Sequence, residues 1–328
     1  MIKTFGKAAV FFVLCLLAVE QTYRFYSLGP VAFNPARFNS YNLLLYTDFI
    51  ELSEYPDIYY QLKPDIDGWF QGNRLTTNSM GLADEAYPEI KPDNSLRVAV
   101  VGSSWTMATG VAQNSSWHAQ LERRLNESNS DHDFEFINFG VEYYGLREMV
   151  ATVRHRVLPL KPDVIHVDLT TFTAYLLWES PPANLPLPEQ RSPFFQSFAL
   201  RALDANLGTG FYSPLVPQRP TVDMDMTLLT AQVVRALREI HALATAVQAR
   251  VTVSWLFGRP PPDLRRELES LTRELDMVYV PAYTSIAQRG GLEAGKVAAQ
   301  HPDAATHAII AERVWQAMNA NSLLPEMP

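Results

Sequence analysis

From residue 96 onward, segments with the hydrophobic pattern of a strand alternate along the chain with segments that have the pattern of a helix. Short apolar, β-branched runs are typical of buried strands, and apolar residues spaced by three and four indicate helices with one buried face. Alternation of the two favours a parallel sheet covered on both faces, with right-handed crossovers. We therefore predict a three-layer α/β/α sandwich, with strands at 96–101, 134–139, 164–169, 251–256 and 277–280 and helices at 116–125, 145–158, 226–248, 264–275 and 303–318.

Two stretches depart from this alternation. Residues 27–95 are rich in Pro, Tyr and Asn, and we interpret them as a stalk and an N-terminal extension that packs on the core domain, 96–322. Residues 178–225 are an insertion in which prolines and aromatic residues are interleaved. A loop of that length is usually functional or disordered. It is either a lid or partner-binding flap, or a surface insertion with local packing only.

The first 26 residues form a targeting segment. Lys3 and Lys7 precede an apolar run over 8–19, which Glu20 ends. The run is shorter than the roughly 20 residues of a spanning helix, but flanking aromatics can lengthen it while Lys7 snorkels. We favour an uncleaved single-pass anchor in the cytoplasmic membrane, with the body on the extracytoplasmic, periplasmic side because the lysines stay inside. A cleavable signal peptide is the alternative, although no small-x-small cleavage site follows.

Composition narrows the function classes. The 328-residue chain has a net charge of −8 and a pI of about 5.4, which argues against a nucleic-acid surface. Its one cysteine, Cys15, lies in the apolar run, so the rest of the chain has no disulfide and no thiolate metal site. We expect no cofactor and no metal, since a site at His301, Asp303 and His307 has no further ligand cluster to support it.

The candidate chemistry lies where the first predicted strand ends. Gly102 follows that strand, Ser103 and Ser104 come next, and a helix-like segment follows. This setting presents a serine hydroxyl at the carboxyl end of a parallel strand. His301 precedes Pro302 at the start of the last helix, so folding can bring a nucleophile and a base together. A helix cap for the serines and a loop position for the histidine are the alternatives.

Four blocks, in this order, resemble the SGNH (GDSL-type) hydrolase family. They are Gly102-Ser103-Ser104, Ile137-Asn138-Phe139-Gly140, the strand 162–171, and Gln300-His301-Pro302-Asp303, preceded by a segment Thr77-Asn78-Ser79-Met80-Gly81-Leu82 that is similar to one in membrane-anchored bacterial members. The resemblance implies that Ser104 is the nucleophile and His301 the base. It also implies an oxyanion hole formed by the N–H groups of Ser104 and Gly140, with Thr171 where the family has an asparagine.

The chain also departs from the family pattern. Ser103 stands where the family has a structural aspartate, and Ala298 stands where it has the triad aspartate. Glu293 is a candidate substitute, and a Ser–His dyad is the alternative. We interpret Asp303 as a helix cap instead of the missing acid. His307 is interpreted as a core or supporting residue, and Asp168 and His166, which alternate with apolar neighbours on the third core strand, as structural.

The resemblance implies an extracytoplasmic serine esterase or an acyl or acetyl transferase. Its partners would be an acyl ester of a carbohydrate or envelope component, the membrane through the N-terminal helix, and envelope or exopolysaccharide machinery. The alternative from a different class is a catalytically degenerate SGNH-fold protein with a binding or assembly role in polysaccharide or envelope biogenesis. Ser103 and Ala298 favour this alternative, and retention of Ser104 and His301 favours the enzyme.

Overall fold

A long apolar helix opens the chain. The computed structural model describes residues 2–28, 32–33, 49–71, 73–128, 131–171, 173, 197–207, 226–289 and 301–325. Helix α1 is Ile2–Leu28. Its stretch Gly6–Phe25 is long and apolar enough to cross a membrane, by length and composition alone, and none of it is buried against the rest of the protein.

Two small antiparallel ribbons follow. Strand β1 (Ile50–Leu52) pairs with β2 (Tyr60–Leu62), and β3 (Asp67–Phe70) pairs with β4 (Asn73–Thr76). Their buried residues pack on loops of the central sheet, and the Tyr60 hydroxyl donates to the backbone oxygen of Glu142 at 2.6 Å. Strands of three or four residues show too little periodicity to be predicted from sequence.

The centre of the molecule is a five-stranded parallel sheet with the order β6-β5-β7-β8-β9. All five predicted strands are confirmed, each to within one residue at its ends, because continuous β-branched apolar runs are what a sheet buried on both faces requires. The strands are β5 (Ser95–Val101), β6 (Asp133–Asn138), β7 (Val164–Thr170), β8 (Arg250–Phe257) and β9 (Val278–Val280).

Helices cover both faces of the sheet, which confirms the predicted three-layer sandwich. They are α2 (Trp117–Ser128), α3 (Leu146–Thr152), α5 (Met226–Ala246), α6 (Pro262–Glu274), α7 (Tyr283–Gln288) and α8 (Ala304–Ala320). A further helix, α4 (Phe198–Leu207), contacts α1. A π-helical turn (Val153–Val157) and a 3₁₀ turn (Leu158–Leu160) continue α3. Apolar residues of α3, α5 and α6 pack on one face, and those of α2, α7 and α8 pack on the other.

Helices α4 and α7 are findings that the sequence pattern did not predict. Helix α4 lies inside the proline-rich insertion, whose other residues, 178–196 and 208–225, lie outside the described residues. Helix α7 has only two turns, too few for a clear period.

The strand order creates one position where a site is expected. From β5 the chain goes first to β6 on one side and then to β7 on the other, so the order reverses between β5 and β7. In open parallel sheets, ligands bind outside the carboxyl ends of the strands at such a reversal. Ser104 follows β5, and Thr171 follows β7.

Candidate active site

Ser104 lies on a run of consecutive turns after β5. The Met107 N–H donates to the Ser103 oxygen at 2.9 Å, and the Thr109 N–H donates to the Ser104 oxygen at 3.1 Å. Ala108 has a φ of +63°, which belongs to the left-handed region and interrupts any right-handed helix. The helix predicted directly after the serines is therefore wrong, since helical structure begins only with a 3₁₀ turn at Gln113–Ser115 and with α2.

The polar groups of Ser104 are available for a ligand. The residue is half-buried, and within the described part of the chain neither its hydroxyl nor its backbone N–H has a hydrogen-bond partner. A free hydroxyl beside a free N–H is the pairing that acyl transfer needs, because one group attacks the carbonyl carbon while the other stabilises its oxygen.

Thr106 holds this turn between strand β7 and the loop that follows β6. A Cβ at Gly102 would overlap the Thr106 hydroxyl, and a Cβ at Gly140 would overlap the Met107 nitrogen and lie 2.7 Å from the Thr106 Cβ. The Thr106 hydroxyl donates to Asp168 Oδ2 of β7 at 2.9 Å. Glycine is therefore needed at both positions for space, and the turn is fixed between the β6 loop and β7.

Asp168 is the centre of a buried hydrogen-bond network. Besides Thr106, its carboxylate accepts from Trp117 Nε1 at 3.0 Å, from His166 Nε2 at 3.0 Å and from the Ser254 hydroxyl. Burial raises the pKa of Asp168, but the hydrogen bonds from His166, Ser254 and Thr106 outweigh it, so the pKa is lowered. The carboxylate is therefore an ionised anchor for the turn, in keeping with the structural role predicted for Asp168 and His166.

Two buried histidines connect the turn with α8. His118 Nε2 donates to the Thr106 oxygen at 3.2 Å, and the Trp117 N–H donates to His307 Nδ1 at 3.2 Å. Burial lowers the pKa of His118 to about 4 and that of His307 to about 3, so both are neutral at pH 7. His307 is fully buried, which confirms the core position, one of the two roles predicted for it.

His301 lies at the α8 side of the site. It is buried, and it is close enough to His307 to contribute to the lowered pKa of that residue. Within the described residues no hydrogen bond joins the His301 ring to the Ser104 hydroxyl. The segment 290–300, which holds Glu293 and Ala298, lies outside the described residues, so a Ser–His pair with or without a third acid stays a prediction.

The other two predicted oxyanion donors are already engaged. The Gly140 N–H donates to Asn138 Oδ1 at 2.8 Å, and the Thr171 hydroxyl donates to the Phe257 oxygen at 3.0 Å. Of the three predicted donors, only the Ser104 N–H is without an acceptor in the described part of the chain. An oxyanion would have to displace Asn138 Oδ1 to gain a bond from Gly140.

Asp303 caps α8, as predicted. Its carboxylate accepts from the Thr306 N–H at 2.8 Å and binds Arg289 through two hydrogen bonds at 2.7 and 3.1 Å. The hydrogen bond from Arg289, followed by those from Thr306, lowers the pKa of Asp303. Because Arg289 and Asp303 flank the segment 290–302, this ion pair joins the two ends of the segment that carries His301.

Comparisons with known proteins found similar solved structures but no family. No family model and no curated protein matches the chain. Solved structures that are similar include TesA (17% identity, 68% of this chain and 98% of that chain, TM-score 0.44) and a variant of an acetyl xylan esterase from Geobacillus stearothermophilus (14%, 70% and 97%, 0.44). A member of the lipolytic G-D-S-L family from Veillonella parvula is also similar (13%, 68% and 98%, 0.42).

At these identities and TM-scores the similarity assigns neither a family nor a function to this chain. A function therefore has to be derived from the chain's own residues. At the reversal of strand order, the described residues include Ser104, whose hydroxyl and N–H have no hydrogen-bond partner there.

Proposed function

We propose that this chain is a serine esterase or acyl transferase that uses Ser104 as its nucleophile. The observation that carries the proposal is the position of Ser104, which combines an unpartnered hydroxyl and N–H with a turn that Thr106 and Asp168 hold rigid. Preorganised donors of this kind lower the barrier because they do not reorganise during the reaction.

The proposed reaction has two steps. The Ser104 oxygen attacks the ester carbonyl carbon, its proton passes to His301, and the alcohol leaves with that proton as the carbon–oxygen bond breaks. The Ser104 N–H donates to the oxyanion. Water or a sugar hydroxyl then attacks the carbonyl carbon of the acyl-serine and loses its proton to His301. The bond from that carbon to the Ser104 oxygen breaks as His301 returns the proton to this oxygen, so the same residues serve hydrolysis and transfer.

The location of the chemistry follows from the charges around α1. Lys3 precedes the apolar stretch Gly6–Phe25 and Lys7 lies at its start, and positive charge is retained on the cytoplasmic side. The proposal therefore places the SGNH-like body outside the cytoplasmic membrane. Acetyl or other acyl esters of envelope carbohydrates are the substrates to test first.

A fluorophosphonate probe tests the nucleophile directly. The full chain in detergent should be labelled, and Ser104→Ala should lose the label. The matched control is Ser103→Ala, because this neighbouring serine is almost fully buried and should not react. His301→Ala should slow labelling by roughly 10³-fold or more if it is the base. Folded wild-type chain that does not label would contradict the proposal.

A second candidate is a binding protein that has lost turnover. It is favoured by the engaged Gly140 N–H and Thr171 hydroxyl, since a working oxyanion hole needs donors that point at the substrate. In this case the folded chain would resist the probe but bind acetylated glycan oligomers in calorimetry. Ser104→Ala would then leave the affinity unchanged.

A further inference from the structure

An acidic residue lies within the apolar stretch of α1. Glu20 accepts from Arg24 Nε at 2.9 Å, from the Ser197 hydroxyl at 2.7 Å and from the Ala199 N–H at 3.0 Å. Acidic side chains in membrane segments are expensive and face protein partners instead of lipid. Two of these donors, Ser197 and Ala199, come from the start of α4, far away in the sequence.

Helix α4 is docked on α1 by this contact. The Ser197 oxygen accepts from the Leu200 N–H at 3.2 Å, so Ser197 caps α4 while its hydroxyl donates to Glu20. The two helices also lie in contact with each other. The insertion is therefore attached to the anchor helix at the level of Glu20.

One face of α4 is apolar and uncovered within the described structure. Leu200, Leu203 and Leu207 are spaced by three and four residues, which places them on one side of the helix. Their exposed fractions are 38%, 52% and 64%. The apolar stretch of α1 is exposed as well, with Phe12 at 63%. Because α4 contacts α1, an apolar medium around α1 would also meet the leucines of α4.

We propose that α4 is a second membrane-binding element, which lies in the outer interface of the bilayer that α1 spans and inserts Leu200, Leu203 and Leu207 into it. The proposal rests on the membrane anchor proposed above. Glu20 lies five residues before the end of the stretch Gly6–Phe25, which is about 7.5 Å along the helix axis at 1.5 Å per residue. Interfacial helices lie at a similar depth of about 5–10 Å.

Quenching by spin-labelled lipids tests this placement in the full chain. Cys15→Ser removes the only cysteine, and a single cysteine is then introduced by Leu203→Cys and labelled with an environment-sensitive fluorophore. The protein is reconstituted in phosphatidylcholine–phosphatidylglycerol vesicles that carry shallow or deep doxyl lipids. Phe12→Cys is the matched site inside the anchor, and Ile90→Cys, 87% exposed on the body, is the aqueous reference.

The expected result is a blue-shifted Leu203 probe that shallow doxyl lipids quench more than deep ones, with the Phe12 probe quenched and the Ile90 probe not. A Leu203 probe as unquenched as Ile90, beside a quenched Phe12, would overturn the role of α4 and leave the anchor intact. A blue-shifted but unquenched Leu203 probe would also overturn it, because protein would then cover the leucines. An unquenched Phe12 probe would remove both proposals.

Glu20→Ala tests the docking contact. Loss of the acceptor for Ser197 and Ala199 should lower quenching of the Leu203 probe and leave that of the Phe12 probe unchanged. Equal quenching of the Leu203 probe with and without Glu20 would show that the contact does not hold α4 at the membrane.

Discussion

At the scale of single residues, the Ser104 turn depends on a carboxylate from another strand. SGNH hydrolases, which the first block resembles, carry an aspartate where this chain has Ser103. The chain instead holds the turn through Thr106, whose hydroxyl binds Asp168 of β7. Trp117 and Ser254 bind the same carboxylate, so helix α2 and strand β8 are tied to the turn as well.

We predict that Asp168→Asn destabilises the protein by about 3 kcal/mol, because the amide NH₂ cannot accept and buried donors are left without an acceptor. Urea unfolding at pH 7, with a check for an unchanged m value, measures the loss. Asp276→Asn is the control, since its side chain is 89% exposed and its surface pair with Arg250 contributes at most about 1 kcal/mol. A variant as stable as wild type would show that the network is not needed.

Single residues also show where sequence reasoning stops. Ser104 and the Asp303 cap follow from local pattern, since a strand that ends in glycine and an acid before a helix have local causes. The partners of Asp168 do not, because they lie on three elements that only the packed fold brings together. Whether the Gly140 N–H has an intramolecular acceptor depends on the side-chain conformation of Asn138, which no sequence pattern specifies.

At the scale of elements, an ion pair between Arg289 and Asp303 joins the end of α7 to the start of α8. Asp303 caps the helix and binds Arg289, and His301 lies two residues before it. The element predictions succeeded where a hydrophobic period repeats, and they missed elements too short to show one, as in α7 and strands β1, β3 and β4. The helix predicted after Ser104 is wrong because Ala108 has a positive φ, and the hydrophobic pattern carries no information about the sign of φ.

Asp303→Ala should lower the free energy of unfolding by about 1–2 kcal/mol, from loss of the cap and of the pair with Arg289. It should also slow fluorophosphonate labelling, since His301 loses its fixed position. Asp303→Ser keeps a capping oxygen and loses the ion pair, so its stability should lie between those of wild type and the alanine variant. An equal loss of unfolding free energy in both variants would assign the loss to the ion pair with Arg289 alone. Chemical unfolding and labelling rates on the same samples separate the two effects.

At the scale of the whole molecule, the sandwich follows from the alternation of the two periods, and the strand order does not. Right-handed crossovers restrict the possible strand orders. The chain nevertheless passes from β6, on one side of β5, to β7 on the other side, so that helices cover both faces of the sheet. That return creates the site edge at Ser104. It also brings α2 and α8 together, so that His118 and His307 are buried between layers and not on a surface.

This burial makes the stability of the whole molecule depend on pH. The pKa values of His118 and His307 are lowered to about 4 and about 3, from 6.5 when unfolded. The unfolded state therefore binds protons first as the pH falls below 6.5, and each histidine removes about 1.4 kcal/mol of stability per pH unit until its folded pKa is reached. Burial raises the pKa of Asp84 and Glu122, which act with the opposite sign.

Variants isolate the two histidines from these acids. His118→Gln keeps a donor for the Thr106 oxygen, and His307→Gln keeps an acceptor for the Trp117 N–H. Between pH 7 and pH 4.5 each variant should lose about 2.5 kcal/mol less stability than wild type, because one proton-linked cost is removed. Urea unfolding across this range gives the difference, and measurements at pH 8, where both histidines are neutral in both states, correct for the substitution itself. Parallel pH profiles for wild type and both variants would mean that the histidines are charged, or reach water, in the folded protein.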